Sequence, residues 1–265
     1  MIIIANKLSH IIPGESPLRQ FLQRVALLSG LWALSSCTPV QPPAGLATPY
    51  LPIGFCYVDE AAPSVQVDLK YAGNDNFVGR PIDGYRGRRA LLRRDAAEAL
   101  RKASDILRQE GYGLLVWDAY RPMRALRDFR AWSRTPDTST RAEFYPRLTK
   151  QGIYDGRYIG DSSEHTWGIA VDITLTDLAT GKPIDMGGRH DLLDPSSATD
   201  SPEVTPAQRA NRHRLRRAMR AVGFANYPKE WWHYRLSDSQ PWVAYDFPLN
   251  DDMRVSPHED ARQAR

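Results

Sequence analysis

Ser163-Glu164-His165-Thr166-Trp167-Gly168-Ile169-Ala170-Val171-Asp172 is the stretch on which the reading of this chain turns. From Gly168 to Leu175 the pattern alternates. Ile169, Val171, Ile173 and Leu175 share one face, while Ala170, Asp172 and Thr174 share the other, as in a β-strand. On a straight strand His165 and Asp172, seven residues apart, would stand about 23 Å from each other at ~3.3 Å per residue. For both to serve one site the chain must bend between them, and Gly168 is the residue that tolerates the turn. The expectation is His165 in a loop and Asp172 on the non-core face of the strand that follows.

A second stretch, Glu230-Trp231-Trp232-His233, completes an inventory of two histidines, one aspartate and a further carboxylate. That is what a catalytic zinc site requires: three protein ligands, an open position for water and a carboxylate to act on it. The tryptophans favour a strand and are expected in the core. A strand would put Glu230 and His233 on opposite faces, so Glu230 is expected where the strand begins, with Tyr227-Pro228-Lys229 turning the backbone. The competing reading of Glu230 is a solvated carboxylate beside Lys229. Arg121 follows an apolar run and precedes Pro122, which biases it to extended geometry. From a strand end its guanidinium can clamp a carboxylate or stabilise an oxyanion; a salt bridge to Asp118 is the plainer alternative. Together these residues imply a zinc peptidase.

The remaining pattern gives an α+β domain. Residues 90–110 carry Leu92, Ala96, Ala99, Leu100, Ala103, Ile106 and Leu107 on one helical face, with Gly111 as a stop. Leu114-Leu115-Val116-Trp117 reads as a buried strand. A helix after Pro122 carries Leu126, Phe129 and Trp132, and another starts at Thr205-Pro206 and runs through Leu215, Met219 and Val222 to Gly223. Residues 231–236 read as a strand. Helices segregated from a mainly antiparallel sheet define the class. At 265 residues the chain is expected to form a single catalytic domain over 53–249, with a polar, disordered tail from 250.

The net charge of +4 gives little support to a nucleic-acid partner: Lys7, Arg19 and Arg24 against Glu15 account for half of it within the first 36 residues, and the rest is interleaved with acidic groups. Residues 25–36 form an apolar run behind basic residues, like the core of a secretory signal and too short to span a bilayer. The run closes on Leu34-Ser35-Ser36-Cys37, which resembles a bacterial lipobox. Residues 1–36 are therefore expected to be a lipoprotein signal, with Cys37 lipidated, a proline-rich tether over 37–52, and an exported, periplasm-facing protein that meets the membrane only through this anchor. An ordinary signal cleaved near Ser36 is the alternative. Cys56 is then left over, and no disulfide framework is expected.

Taken together the residues resemble the VanX-type D-alanyl-D-alanine dipeptidases, zinc enzymes of the hedgehog/DD-peptidase fold. The similarity runs from about Val67 to Leu236. It includes Asp68-Leu69-Lys70-Tyr71-Ala72, Asp75-Asn76-Phe77, residues 113–122 (GLLVWDAYRP), residues 163–175, Met186-Gly187, Gly223-Phe224 and residues 230–234 (EWWHY). The resemblance implies one Zn2+ per chain on His165, Asp172 and His233, Glu230 as general base, and Arg121 polarising the scissile carbonyl. It also implies that Ser163 and Asp191 bind the substrate, Asp191 through the substrate ammonium. The implied reaction is hydrolysis of D-Ala-D-Ala in cell-wall peptide turnover or glycopeptide resistance. Two features depart from the family pattern: His190 stands where an aromatic residue usually precedes the aspartate, and residues 192–200 differ. His190 is expected beside the site rather than on the metal. Rival readings are a carboxypeptidase or endopeptidase acting on murein stem peptides, and a non-catalytic zinc-bearing lipoprotein that binds cell-wall peptide. Glu230 and Arg121 argue against the latter, because a binder has no use for a base.

Overall fold

The structure, a computed structural model, describes residues 50–240 and 242–254. Its first strand, β1 (Phe55–Tyr57), leads into a short helix α1 (Val58–Ala61), strand β2 (Gln66–Val67) and then β3 (Leu91–Arg93). Helix α2 (Arg94–Gln109) is followed by β4 (Tyr112–Asp118), α3 (Met123–Ser133), α4 (Arg141–Phe144) and α5 (Lys150–Asp155). Strand β5 (Ala170–Asp177), helix α6 (Pro206–Ala221), β6 (Phe224–Asn226) and β7 (His233–Leu236) complete the order. Five strands form one sheet in the order β2-β4-β5-β7-β6, antiparallel except for the parallel β2–β4 pair, while β1 and β3 pair separately. The α+β class with a mainly antiparallel sheet and flanking helices is as expected.

Several elements follow directly from their residues. Helix α2 buries Ala96, Ala99, Leu100, Ala103 and Leu107. Helix α6 opens with a capping box, in which the Thr205 hydroxyl accepts from Gln208 N–H and the Gln208 side chain accepts from Thr205 N–H. Pro206 then costs nothing at the first helical position. Both long helices pack on the sheet and on each other. Leu114, Val116, Ile173 and Leu175 are fully buried, and the register pairs Leu114 with Leu175 and Val116 with Ile173.

The structure corrects four sequence expectations. Helix α2 begins at Arg94, not 90, because Leu91 and Leu92 pair with Tyr57 and Cys56 in the β1–β3 ladder. The face of β5 carrying Asp172 is not open: Ala170, Asp172 and Thr174 are buried, and the aromatic layer of Trp117, Trp231 and His190 lies on that side. Trp231 and Trp232 are core residues, as expected, but precede β7 rather than forming it. The domain also reaches beyond its expected limits of 53 and 249. Leu51 is buried and its N–H bonds to Arg254 C=O, Asp251 accepts from the Arg88 and Arg89 N–H groups, and Met253 is buried. The signal, the Cys37 site and most of the tether lie outside the described residues, as does the tail from 255. Among the described residues no helix is long and apolar enough to cross a membrane.

Candidate active site

Three elements converge at the N-terminal end of β5. Ser163 caps a 3-10 turn over Glu164–Trp167, its hydroxyl accepting from His165 N–H at 3.3 Å. The turn ends at Gly168 in the left-handed region, φ +71°, and a Cβ there would strike the Phe55 ring at 2.5 Å. The chain therefore bends where expected, and His165 sits on a tight turn rather than in an irregular loop. Asp172 and His233 are register partners on β5 and β7. Glu230 reaches the same place through a turn: its N–H bonds to Tyr227 C=O, and its own C=O accepts from His233 N–H. That turn removes the parity conflict a continuous strand would have created.

The three nominated ligands face one another. His165 Nε2 lies 3.1 Å from His233 Nδ1 and 3.3 Å from Asp172 Oδ1, and His233 Nδ1 lies 3.1 Å from Asp172 Oδ1. Ligand bonds of about 2.0–2.1 Å in tetrahedral array place donor atoms roughly 3.3 Å apart. His165 Nδ1 is 2.6 Å from Ala119 C=O, to which it donates, so Nε2 presents its lone pair to the other two. Acceptor atoms gathered this closely, nearly all shielded from water, repel one another unless a cation or protons lie between them. Among the described residues these three form the group of side chains able to hold a metal ion, so the donor set fits one.

Arg121 is set by two buried carboxylates. Its Nε donates to Asp118 Oδ2 at 2.8 Å and its Nη2 to Asp172 Oδ2 at 3.2 Å. Tyr71 and Phe129 stack against the guanidinium at 5.0 and 5.5 Å. Asp118 also accepts from Tyr85 O–H at 2.6 Å. Burial, together with the charge of Asp118, pushes the Tyr85 phenol well up, so it remains a donor. Asp118 and Arg121 thus do form the salt bridge raised as the plainer alternative, yet Arg121 still lines the cleft.

Glu230 is 7% exposed and lines the same cleft of about 840 Å³ as Ser163, Arg121, Asp172, Asp191 and His233. Burial first, then the charges of Asp172 and Asp191, push its carboxyl well above the usual range. It is not the solvated partner of Lys229, whose ammonium donates to Gly156 C=O. Asp191 is also pushed up, chiefly by burial, with the charge of Asp172 adding to it. Its Oδ1 accepts from Tyr71 O–H at 3.1 Å, while Oδ2 is buried with no hydrogen-bond donor among the described residues. Burial opposes ionisation of Asp172 too, but the imidazoles of His165, His190 and His233 outweigh it and hold that carboxyl well down. All seven nominated residues within the domain are therefore brought together around one cleft. Sequence reasoning assigned no role to Tyr71 or Tyr85 and gave Asp118 only a structural one. The spacing of Asp118 and Arg121 at a strand end was the available signal.

Residues 52–253 match the profile of a peptidase family, M15, described as D-Ala-D-Ala dipeptidase. The chain is similar to the D-alanyl-D-alanine dipeptidase of Streptomyces coelicolor, 43% identical over 197 residues that cover 74% of this chain and 98% of that protein. It is 40% identical to the enzyme of that name from Enterococcus faecium over 199 residues, with the same coverage of each chain. The Escherichia coli D-alanyl-D-alanine dipeptidase is 35% identical over 187 residues, covering 70% of this chain and 86% of that protein.

Proposed function

Because the chain belongs to the D-Ala-D-Ala dipeptidase family of M15 peptidases, we propose that it is a zinc-dependent dipeptidase that hydrolyses D-Ala-D-Ala to two D-alanines. One observation carries the reading: a three-donor cluster shares a cleft with a buried base, Glu230, and with a carboxylate oxygen, Asp191 Oδ2, that lacks a partner among the described residues. His165, Asp172 and His233 would hold the metal, which when bound supplies a Lewis acid and lowers the pKa of a coordinated water. Two imidazoles and one carboxylate are a donor set suited to zinc.

The chain's own residues do the rest. Glu230 takes a proton from the attacking water and later delivers one to the leaving amine, and its raised affinity for protons suits both tasks. Arg121 already points Nη2 at the Asp172 side of the cluster, so the same guanidinium can donate to a carbonyl oxygen that gains charge there. Asp191 Oδ2 receives the substrate ammonium and fixes the amino end. The Ser163 hydroxyl, whose oxygen accepts from His165 N–H, keeps its own proton available for the substrate.

The cleft is roomier than a dipeptide needs, which favours cleavage of longer stem peptides as the second reading. Zinc-loaded protein assayed on free D-Ala-D-Ala and on a pentapeptide stem separates the two. Cleavage of the dipeptide alone is expected, and cleavage of the stem alone would overturn the dipeptidase reading. For location, the apolar run of residues 25–36 ending in Leu34-Ser35-Ser36-Cys37 supports an exported, lipid-anchored protein. Cys37→Ser should release it from the membrane fraction or stall its processing; unchanged fractionation would favour a soluble periplasmic form.

A further inference from the structure

His190 is buried beside the metal-ligand cluster and has no part in the steps above. Its Nε2 lies 3.3 Å from Asp172 Oδ2 and 3.5 Å from Asp191 Oδ1. Two carboxylate oxygens facing one ring nitrogen require a proton on it. Nδ1 is buried without a partner among the described residues. Nε2–H is thus a donor toward Asp172. The ring is held by aromatic neighbours, with Trp117, Trp232 and Tyr71 centroids at 5.1, 5.7 and 6.1 Å.

The two oxygens of Asp172 therefore have separate surroundings. Oδ1 faces His165 and His233, whereas Oδ2 faces donors from Arg121 and His190. We propose that His190 is a positioning residue for the metal: by holding Asp172 Oδ2, it presents Oδ1 alone to the ion and keeps it there when Arg121 turns to the substrate. The proposal rests on reading His165, Asp172 and His233 as the ligands. Of the two donors to Oδ2, Arg121 also lines the cleft and has a second claim on its guanidinium. His190 does not line that cleft, and the nearer of the two carboxylates at its Nε2 is Asp172. A ligating carboxylate left without such support swings between one- and two-oxygen binding, and loss of an outer partner typically weakens metal affinity or activity by about 10–100-fold.

The test is zinc affinity of the purified full chain, measured by competition with a chelating indicator, for the wild type, His190→Phe, His190→Gln and Asp172→Asn. Phe keeps a ring among the aromatic neighbours and removes the donor; Gln loses the ring and keeps an N–H. His190→Phe is expected to weaken zinc binding by about 10–100-fold, with His190→Gln recovering most of the loss. Because Phe preserves the packing better than Gln, a purely structural role predicts the opposite order. Should His190→Phe fail to fold, His190→Gln and His190→Met, alike in size and differing in the donor, make the same comparison. Equal affinity of wild type and His190→Phe, or of the Gln and Met variants, overturns the positioning role while leaving the ligand set intact. A wild type that binds no zinc, or an Asp172→Asn variant that binds it unchanged, overturns the ligand reading and this proposal with it.

Discussion

Asp172 and His233 are register partners on adjacent antiparallel strands, with Oδ1 and Nδ1 3.1 Å apart. The row continues across β5, since Asp118 on β4 is the register partner of Asp172 on its other side. The register shift in β4 between Val116 and Asp118 brings Asp118 into that row. Sheet register thus fixes two of the three candidate ligands and the residue that aims Arg121 before any side-chain choice is made, and only His165 needs a separate turn.

The metal cluster should fail as a unit. His165→Ala, Asp172→Asn and His233→Ala should each reduce bound zinc from one per chain to substoichiometric levels, measured by elemental analysis, because two donors hold zinc poorly. Chelation should abolish activity and added zinc restore it. Full turnover in metal-stripped protein would remove the basis of the mechanism.

Glu230→Gln should keep zinc and lose about 10²–10⁴-fold in kcat, since the amide cannot accept the proton. It should also stabilise the metal-free fold. Burial and the neighbouring Asp172 and Asp191 keep Glu230 protonated above its ordinary pKa of 4.5, whereas in the unfolded chain it ionises normally. As pH rises through that ordinary value the unfolded state alone gains charge, and wild-type stability falls relative to the variant. The difference in Tm should open above about pH 4.5 and close below it. A wild type that melts higher than Glu230→Gln at neutral pH would show that Glu230 is not strained by its site.

How far the site was legible follows from what each residue needs. His165, Asp172 and His233 announce themselves by residue type, and the Gly168 bend follows from distance alone. The placement of Glu230 was legible from the turn before it. Asp118, Tyr71 and Tyr85 were not, because their roles depend on contacts between segments far apart in sequence, such as Tyr85 with Asp118 and Tyr71 with Asp191. Leu91 and Leu92 were misread as helical because apolar residues next to a helix fit its periodicity, and only pairing with β1 distinguishes a strand.

Arg121→Ala should lower kcat more than it raises KM, because a donor to a carbonyl oxygen is worth most when charge has built up there. Arg121→Lys should not restore it. A lysine can place one charge but cannot bond Asp118 and Asp172 together as the guanidinium does. Steady-state kinetics decide the matter, and a change confined to KM would make Arg121 a ground-state binder.

The segment of residues 192–200 is pinned by Asp194, which is buried, accepts from Arg147 Nε at 2.6 Å and caps the turn at Ser196. Hydrogen bonding from Arg147, ahead of the opposing effect of burial, holds its carboxyl at about 2. A carboxyl depressed in the fold contributes stability that is complete above its unfolded value and is lost as pH falls through the folded one, here from about 4 to about 2. Arg147 is half exposed, which screens the pair, so Asp194→Asn should cost roughly 1–2 kcal/mol at pH 7. The deficit should shrink toward zero near pH 2 in urea titrations. A deficit unchanged by pH would mean that Asp194 acts through packing alone.

On the proposed function, Asp191 sets the substrate's length. A dipeptidase must read both ends of its substrate, and a buried carboxylate with one oxygen bonded to Tyr71 and the other without a partner among the described residues is placed to read the amino end. Acylating the amine, as any longer stem does, removes its charge and leaves Asp191 desolvated and unanswered. Loss of one member of such a pair can cost several kcal/mol, enough for strong discrimination. Free D-Ala-D-Ala should therefore be cleaved and N-acetyl-D-Ala-D-Ala should not. Asp191→Ala should narrow the gap by slowing the free dipeptide most. If kcat/KM is the same for the free and acetylated dipeptides in the wild type, Asp191 does not gate the amino end, and the stem-peptide reading replaces the dipeptidase one.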